Sequence, residues 1–371
     1  MTNRERFHAV MHGQPYDRLP LAHFGFWYET LQKWAAEGHI SPEIINKVSD
    51  GNEFDKQIGD ALGFDFNYFT VYSHGNGLFP MFEPKFIEMT DEGFAKHLNV
   101  FGAIELHRGD AGSIPAEVGY TLIDRESFEK EFVHRLEFGE HRTNYELIEK
   151  FKAGNDTREN PLGLHCGSLY GDIRNWMGFE NISYLLADDE DLYADIINKV
   201  GDLSYQYTKT MLDTGIKFDF IHFWEDICFK NGPMLSPDTF AEYVGPHYKK
   251  ITALARSYGI DLASVDCDGW IDRLVPVWFE NGITTMFPIE VGTWDGNIGR
   301  LKDNVSENIC GVGGMNKNTF AGDKSDIDKE IERIRPFIER GRYIPCPDHR
   351  IPPDAKWETV QYYCDKMHSM F

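Results

Sequence analysis

The sequence predicts a (β/α)8 TIM barrel with a β-hairpin insertion after the second strand. Three observations carry that expectation. Eight apolar runs open at Leu21, Phe64, Leu162, Phe218, Ile260, Thr284, Ile309 and Tyr343. Stretches with helical spacing separate them, and alternation of this count suits a closed barrel. The runs also finish in polar, often ionisable residues, as barrel strands do where they line a site. The rival architecture, an open doubly wound sheet, carries G-x-G-x-x-G after its first strand. Here the glycine-rich segment Gly311-Val312-Gly313-Gly314-Met315-Asn316 comes late in the chain and has a different pattern. Residues 1–371 are therefore read as a single domain.

Residues 4–13 read as a short amphipathic helix with Phe7, Val10 and Met11 on one side. Pro20 stands at the start of the first strand, 19–26, where proline is tolerated. Residues 42–62 are helical, and 64–71 form the second strand, rich in aromatic and β-branched side chains. Between 85 and 125, short alternating runs at 86–89, 94–98 and 103–107 are broken by glycine and charge, the pattern of a β-hairpin insertion. Residues 127–151 are helical, with Ser127 as N-cap and a break at Gly139. Within 189–212, Leu192, Ile196, Val200, Leu203 and Tyr207 recur at helical spacing. Ser236 and Pro237 open a helix as N-cap and first helical residue, and Gly259 ends it. Helices over 324–340 and 354–370 complete the chain.

Lys and Arg number 37 against 60 Asp and Glu, a formal charge of −23. Such a chain repels the phosphates of nucleic acid and the surface of an anionic membrane. No apolar run approaches the roughly 18 residues of a membrane span. The first six residues alternate charge without an apolar core, so a cytoplasmic protein is expected. The cysteines, Cys166, Cys228, Cys267, Cys310, Cys346 and Cys364, are scattered over a long chain, unlike a disulfide framework.

The strand ends supply the candidate site. In chain order they offer His23 and Trp27; His165 and Cys166; His222, Trp224, Glu225 and Asp226; Asp266, Cys267 and Asp268; Glu290; Asn316 and Lys317; and Cys346, Asp348 and His349. Two thiols with a carboxylate or imidazole make a donor set for zinc with an open fourth position, and thiolates favour zinc over magnesium or calcium. Cys267 and Cys346 would be the thiols. The third donor would be Glu225 or His222, which face opposite sides of one strand; Glu225 stands nearer the rim. The competing reading makes both cysteines buried hydrophobes and His222 a core histidine. His349 can act as a general acid/base or orient a neighbour. The expected substrate-binding set is His23, Trp27, His165, His222, Trp224, Glu290 and Asn316, with aromatic rings suited to an apolar or aromatic ligand.

Several of these segments resemble the uroporphyrinogen decarboxylase superfamily. They are R-F-H-A-V-M-H-G-Q-P-Y-D-R-L-P at 6–20, Glu225-Asp226 with K-N-G-P-M-L-S-P at 230–237, Asp268-Gly269, F-P-I-E at 287–290, G-G-M-N-K at 313–317 and P-D-H-R-I-P-P at 347–353. The resemblance covers nearly the whole chain and implies a barrel with its cleft at the C-terminal mouth. Within that superfamily, decarboxylases of a polyanionic tetrapyrrole use an arginine-rich N-terminal loop. The corresponding stretch here, residues 21–28, has no arginine. The other branch comprises zinc methyltransferases that act with a corrinoid protein, using His-x-Cys and a later Cys as ligands. Cys267 and Cys346 match those cysteines, but Val265 stands where the histidine would be. The third ligand would then come from elsewhere, Glu225 being preferred over His222.

The leading expectation is a zinc-dependent methyltransferase, moving a methyl group between a methoxylated aromatic or methylamine and the cobalamin of a partner corrinoid protein. His349 or Asp268 would manage the leaving group's proton. The alternatives are a metal-independent decarboxylase and a non-catalytic barrel that binds a small ligand.

Overall fold

The computed structural model describes residues 1–107, 115–292 and 294–371. Its strands are β1 (Ala22–His23), β2 (Phe66–Asn67), β3 (Val71–Tyr72), β4 (Lys85–Met89), β5 (Ala95–Leu98), β6 (Ala103–His107), β7 (Ala116–Tyr120), β8 (Gly163–His165), β9 (Phe220–Trp224), β10 (Cys228–Phe229), β11 (Gly232–Pro233), β12 (Ala263–Asp266), β13 (Thr285–Ile289), β14 (Cys310–Met315) and β15 (Tyr343–Pro347). A seven-stranded sheet in the order β15-β14-β13-β12-β9-β8-β3 forms the centre, and every pairing in it is parallel.

A separate parallel pair, β1 with β2, lies beside this sheet. Its ladder is extended by Asp65 N–H to Leu21 O at 2.9 Å and Tyr68 N–H to His23 O at 2.7 Å. Just beyond β1, Phe26 bridges Ile351, with Ile351 N–H to Gly25 O at 3.1 Å and Trp27 N–H to Ile351 O at 3.2 Å. The architecture is α/β with a parallel central sheet.

Helices cover the sheet with the periodicities read from sequence. Glu190–Asp213 buries Leu192, Ile196, Val200, Leu203 and Tyr207. Ser236 caps the turn Pro237–Thr239 by accepting from Thr239 N–H. Lys324–Arg340 opens on a capping box at Asp323 and stops at Gly341, whose φ of 83° a side chain would resist. No helix among the described residues is long and apolar enough to cross a membrane.

Three segments depart from expectation, and in one, the stretch read as a helix over 127–151, Asp124 rather than Ser127 is the N-cap and short helical pieces follow. The stretch read as a hairpin is a four-stranded antiparallel sheet, β4-β5-β6-β7, with the link between its last two strands outside the described residues. The helical reading of 42–62 resolves into a 3-10 segment, Pro42–Lys47, and a helix, Glu53–Leu62. Asn52 accepts hydrogen bonds from Phe54 and Asp55 N–H and so starts a fresh helix there.

Candidate active site

Alternation along β9 decides where the site lies. His222 turns toward the rings of Tyr68, Phe69 and Phe287. Phe223 turns the other way and packs on Tyr248 of the helix Gly245–Ser257, 4.5 Å between centroids. Glu225 continues the second set. Its carboxylate accepts from Leu169 N–H (2.9 Å), Tyr170 N–H (3.0 Å), Gly171 N–H (2.7 Å), Ser168 Oγ (3.1 Å) and the Tyr248 hydroxyl. Burial raises its pKa against the pull of those donors. Glu225 therefore fastens the helix Gly171–Met177 to β9. Only glycine fits at 171, where a Cβ would lie 1.9 Å from the Glu225 carbonyl oxygen.

The ends of β12 and β15 meet at a different pair. His349 Nε2 lies 3.8 Å from Asp268 Oδ2. Trp27 stacks on the His349 ring at 5.5 Å and 15°, and Phe24 meets it edge-on at 5.6 Å. Burial pushes the Asp268 carboxyl up to about 8, helped by the charges of Glu290 and Asp226 and opposed by Lys317. Burial pushes His349 down to about 4, with Lys317 and Arg350 adding to the effect. The two shifts place a carboxylic acid beside a neutral imidazole near pH 7. Asp266 is also shifted well up, by burial and then by Asp268 and Asp226.

Fixed hydrogen bonds hold this rim. Glu290 Oε2 accepts from Gly269 N–H at 2.7 Å, at a turn whose φ of 82° suits glycine. Asp348 accepts from Val291 N–H (2.8 Å), Gly292 N–H (3.3 Å) and Lys317 N–H (2.9 Å), tying together the loops after β13, β14 and β15. Arg350 makes a two-pronged pair with Asp50 at 3.0 and 2.6 Å. Asp226 sits at a φ of 48°, uncommon for aspartate, with Arg174 3.4 Å away. Arg174 also lies over the Trp224 ring at 5.9 Å.

A model of the uroporphyrinogen decarboxylase (URO-D) family matches residues 166–370, which include Asp268 and His349. The chain belongs to the uroporphyrinogen decarboxylase family. No curated protein matches it. Among solved structures, a methyltransferase from Methanosarcina mazei is similar over 100% of this chain and 99% of its own, with a TM-score of 0.60 at 13% identity. That likeness is one of fold. A vitamin-B12-independent methionine synthase from Listeria monocytogenes covers 96% of this chain and 98% of its own at 10% identity, but its TM-score is 0.46.

Within this family frame, the expected residues divide. Asp268, His349, Trp27 and Glu290 come together at the rim. His165 lines a neighbouring cleft. His222 is buried among aromatic rings, and neither ring nitrogen has a hydrogen-bond partner among the described residues. His23 is a core residue: it lies 5.0 Å from both Phe26 and Phe64, and its Nδ1 accepts from Gly25 N–H. Asn316 caps the turn Lys317–Ala321 through Asn318 N–H, a local structural task.

The zinc set of Glu225, Cys267 and Cys346 does not fit. Five donors already occupy Glu225. Cys267 shares the outward parity of Ala263 and Val265; its Sγ accepts from Ile227 N–H at 3.2 Å and donates to the Asp268 carbonyl at 3.4 Å. Burial raises both thiols well above the ordinary range. No three His, Cys, Asp or Glu side chains among the described residues are arranged to hold a metal ion.

Sequence reasoning missed Asp172 and Arg142. Arg142 is buried and donates to the carbonyls of Gly75 and Gly77, each at 2.7 Å, shaping the loop after β3. An arginine inside a helical-looking stretch gives no sequence signal for that task.

Proposed function

We propose that this chain is an enzyme that moves a methyl group from a small methylated substrate, a methyl ether or a methylated amine, to a corrinoid carried by a partner protein. The central sheet is taken to close into a barrel through the contact of Phe26 with Ile351. Family membership and the fold likeness to a methyltransferase support the reading. The observation that carries it is the Asp268–His349 pair, whose members are shifted in opposite directions at one rim.

A methyl ether is a poor electrophile because its leaving group is a strong base. A protonated Asp268 can deliver the missing proton to the leaving heteroatom, a contribution of about 10²- to 10⁴-fold for a well-placed general acid. With the carboxyl raised to about 8, the acid form predominates at pH 7. His349, neutral and stacked beneath Trp27, does not compete with Asp268 as a cation. The charge of Glu290 beside Asp268 weighs against an anionic substrate, with Lys317 opposing it. The corrinoid, when bound, would supply a strong nucleophile for the methyl carbon.

The test supplies reduced cobalamin as acceptor and offers methoxylated aromatics and methylated amines as donors. Stoichiometric formation of demethylated product is the expected result. Release of CO2 from a carboxylated substrate, with no demethylation, would replace this reading with decarboxylation.

A further inference from the structure

A cleft of about 450 Å3 opens between the loop after β3, the end of β8 and the helix Gly171–Met177. That volume is within the usual range for a small-molecule site. None of Trp27, Asp268, Glu290 and His349 lines it, so it stands apart from the rim pair. Its shape is fixed in advance. The buried Arg142 guanidinium donates to the carbonyls of Gly75, Gly77, Arg135 and Glu137 and so holds the loop in place. Phe79, Phe101 and Trp176 give the cleft aromatic walls, and Asp172 and His165 line it as well.

Three polar groups in these walls have no partner among the described residues. His165 Nδ1 accepts from Gly167 N–H at 2.9 Å and meets Asn76 Nδ2 at 2.7 Å. Its neutral ring therefore carries the proton on Nε2, and no described residue accepts it. Burial lowers the ring's pKa to about 4, which keeps it neutral. Trp176 is 1% exposed, and its indole N–H meets no acceptor among the described residues. Asp172 stands four residues earlier, on the same face of the helix. Its backbone N–H donates to Ser168 Oγ at 2.9 Å, while its carboxyl makes no hydrogen bond or ion pair to a described residue. Burial and the nearby Glu225 charge raise that carboxyl to about 7, with Arg174 opposing. In either protonation state it keeps an acceptor oxygen. Buried donors and acceptors without partners are costly, so a ligand that pairs all three is favoured.

We infer that this cleft binds a pyrimidine-2,4-dione ring, with Asp172 accepting from the imide N–H and the N–H groups of His165 and Trp176 donating to the two carbonyls. The inference goes beyond the methyl-transfer reading and does not rest on it. Complementarity carries it. The cleft offers two N–H donors and one carboxyl acceptor. The dione offers the reverse, two carbonyl acceptors and one N–H donor, along the edge of a flat ring. Aromatic walls favour such a ring over an aliphatic one. A cationic ligand would leave both N–H donors unmatched. No Lys or Arg lines the cleft to hold a phosphate, so the fit is to a free base or a nucleoside rather than a nucleotide. An analogue whose imide nitrogen is blocked leaves the carboxyl unpaired and is rejected.

Calorimetric titration of the full chain with uracil, 3-methyluracil and uridine tests this. The native protein is expected to bind uracil at least about tenfold more tightly than 3-methyluracil, and Asp172→Leu to bring the two within about threefold. Uridine separates the two sources of the ring: binding tighter than that of uracil assigns a nucleoside, and equal or weaker binding assigns the free base. Phe101→Ala, at an exposed wall position, should weaken uracil about threefold and decides the matter should the Asp172 variant fail to fold. Failure of the native protein to bind uracil, equal binding of uracil and 3-methyluracil, a preference retained in Asp172→Leu, or Phe101→Ala without effect would overturn the assignment. No turnover is involved, so either result leaves the methyl-transfer reading to its own test.

Discussion

Asp268→Asn is expected to lower kcat by about 10²- to 10⁴-fold while leaving the fold intact. The amide keeps the shape of the side chain but has no acidic proton to deliver. In the native enzyme kcat should fall as pH rises through about 8, where Asp268 loses its proton. The low-pH limb should lie near 4, where His349 becomes charged. Stability should also decline with rising pH. The carboxyl is raised in the folded state, so its contribution is complete below the ordinary carboxyl range and declines as pH rises toward 8. Asp268→Asn should therefore unfold at a higher temperature than the native chain at pH 8, with the gap closing at pH 4. Activity and stability would then oppose each other at one residue, as functional sites commonly require.

Glu225→Ala is expected to destabilise the protein by about 3–5 kcal/mol in urea unfolding. Three backbone N–H groups and two hydroxyls lose their acceptor at once, and buried donors without partners are costly. Tyr248→Phe removes one of these donors and should cost about 1 kcal/mol. Were Glu225 instead a zinc ligand, the loss would depend on metal and shrink after chelation. On the present geometry it does not.

The strand–helix alternation was legible because the apolar runs and caps are local signals, and the helices at 190–213 and 324–340 fall almost where their periodicity places them. The rim pair was legible too, since Asp268 and His349 stand at strand ends. Parity was harder. Glu225 and Cys267 follow strands whose alternation turns them toward the helices, and moving a strand by one residue exchanges its faces. Anchoring β9 on the aromatic side of His222 would have put Glu225 outside. His23 and Asn316 look polar at strand ends, yet one is enclosed by rings and the other serves a local cap. Asp172 was hidden for the opposite reason: a carboxylate in the first turn of a helix reads as a partner for the helix dipole. Only the loop shaped by Arg142 turns its surroundings into a cleft, and contacts so distant along the chain leave no local pattern.

The most direct measurement is infrared difference spectroscopy between the native protein and Asp268→Asn, followed from about pH 5 to 10 in the carbonyl stretch of protonated carboxyls. A band that belongs to Asp268 and disappears with a midpoint near 8 is the expected result. A carboxylate already ionised at pH 6 would contradict the account, because no proton would then be available at the rim for the leaving group.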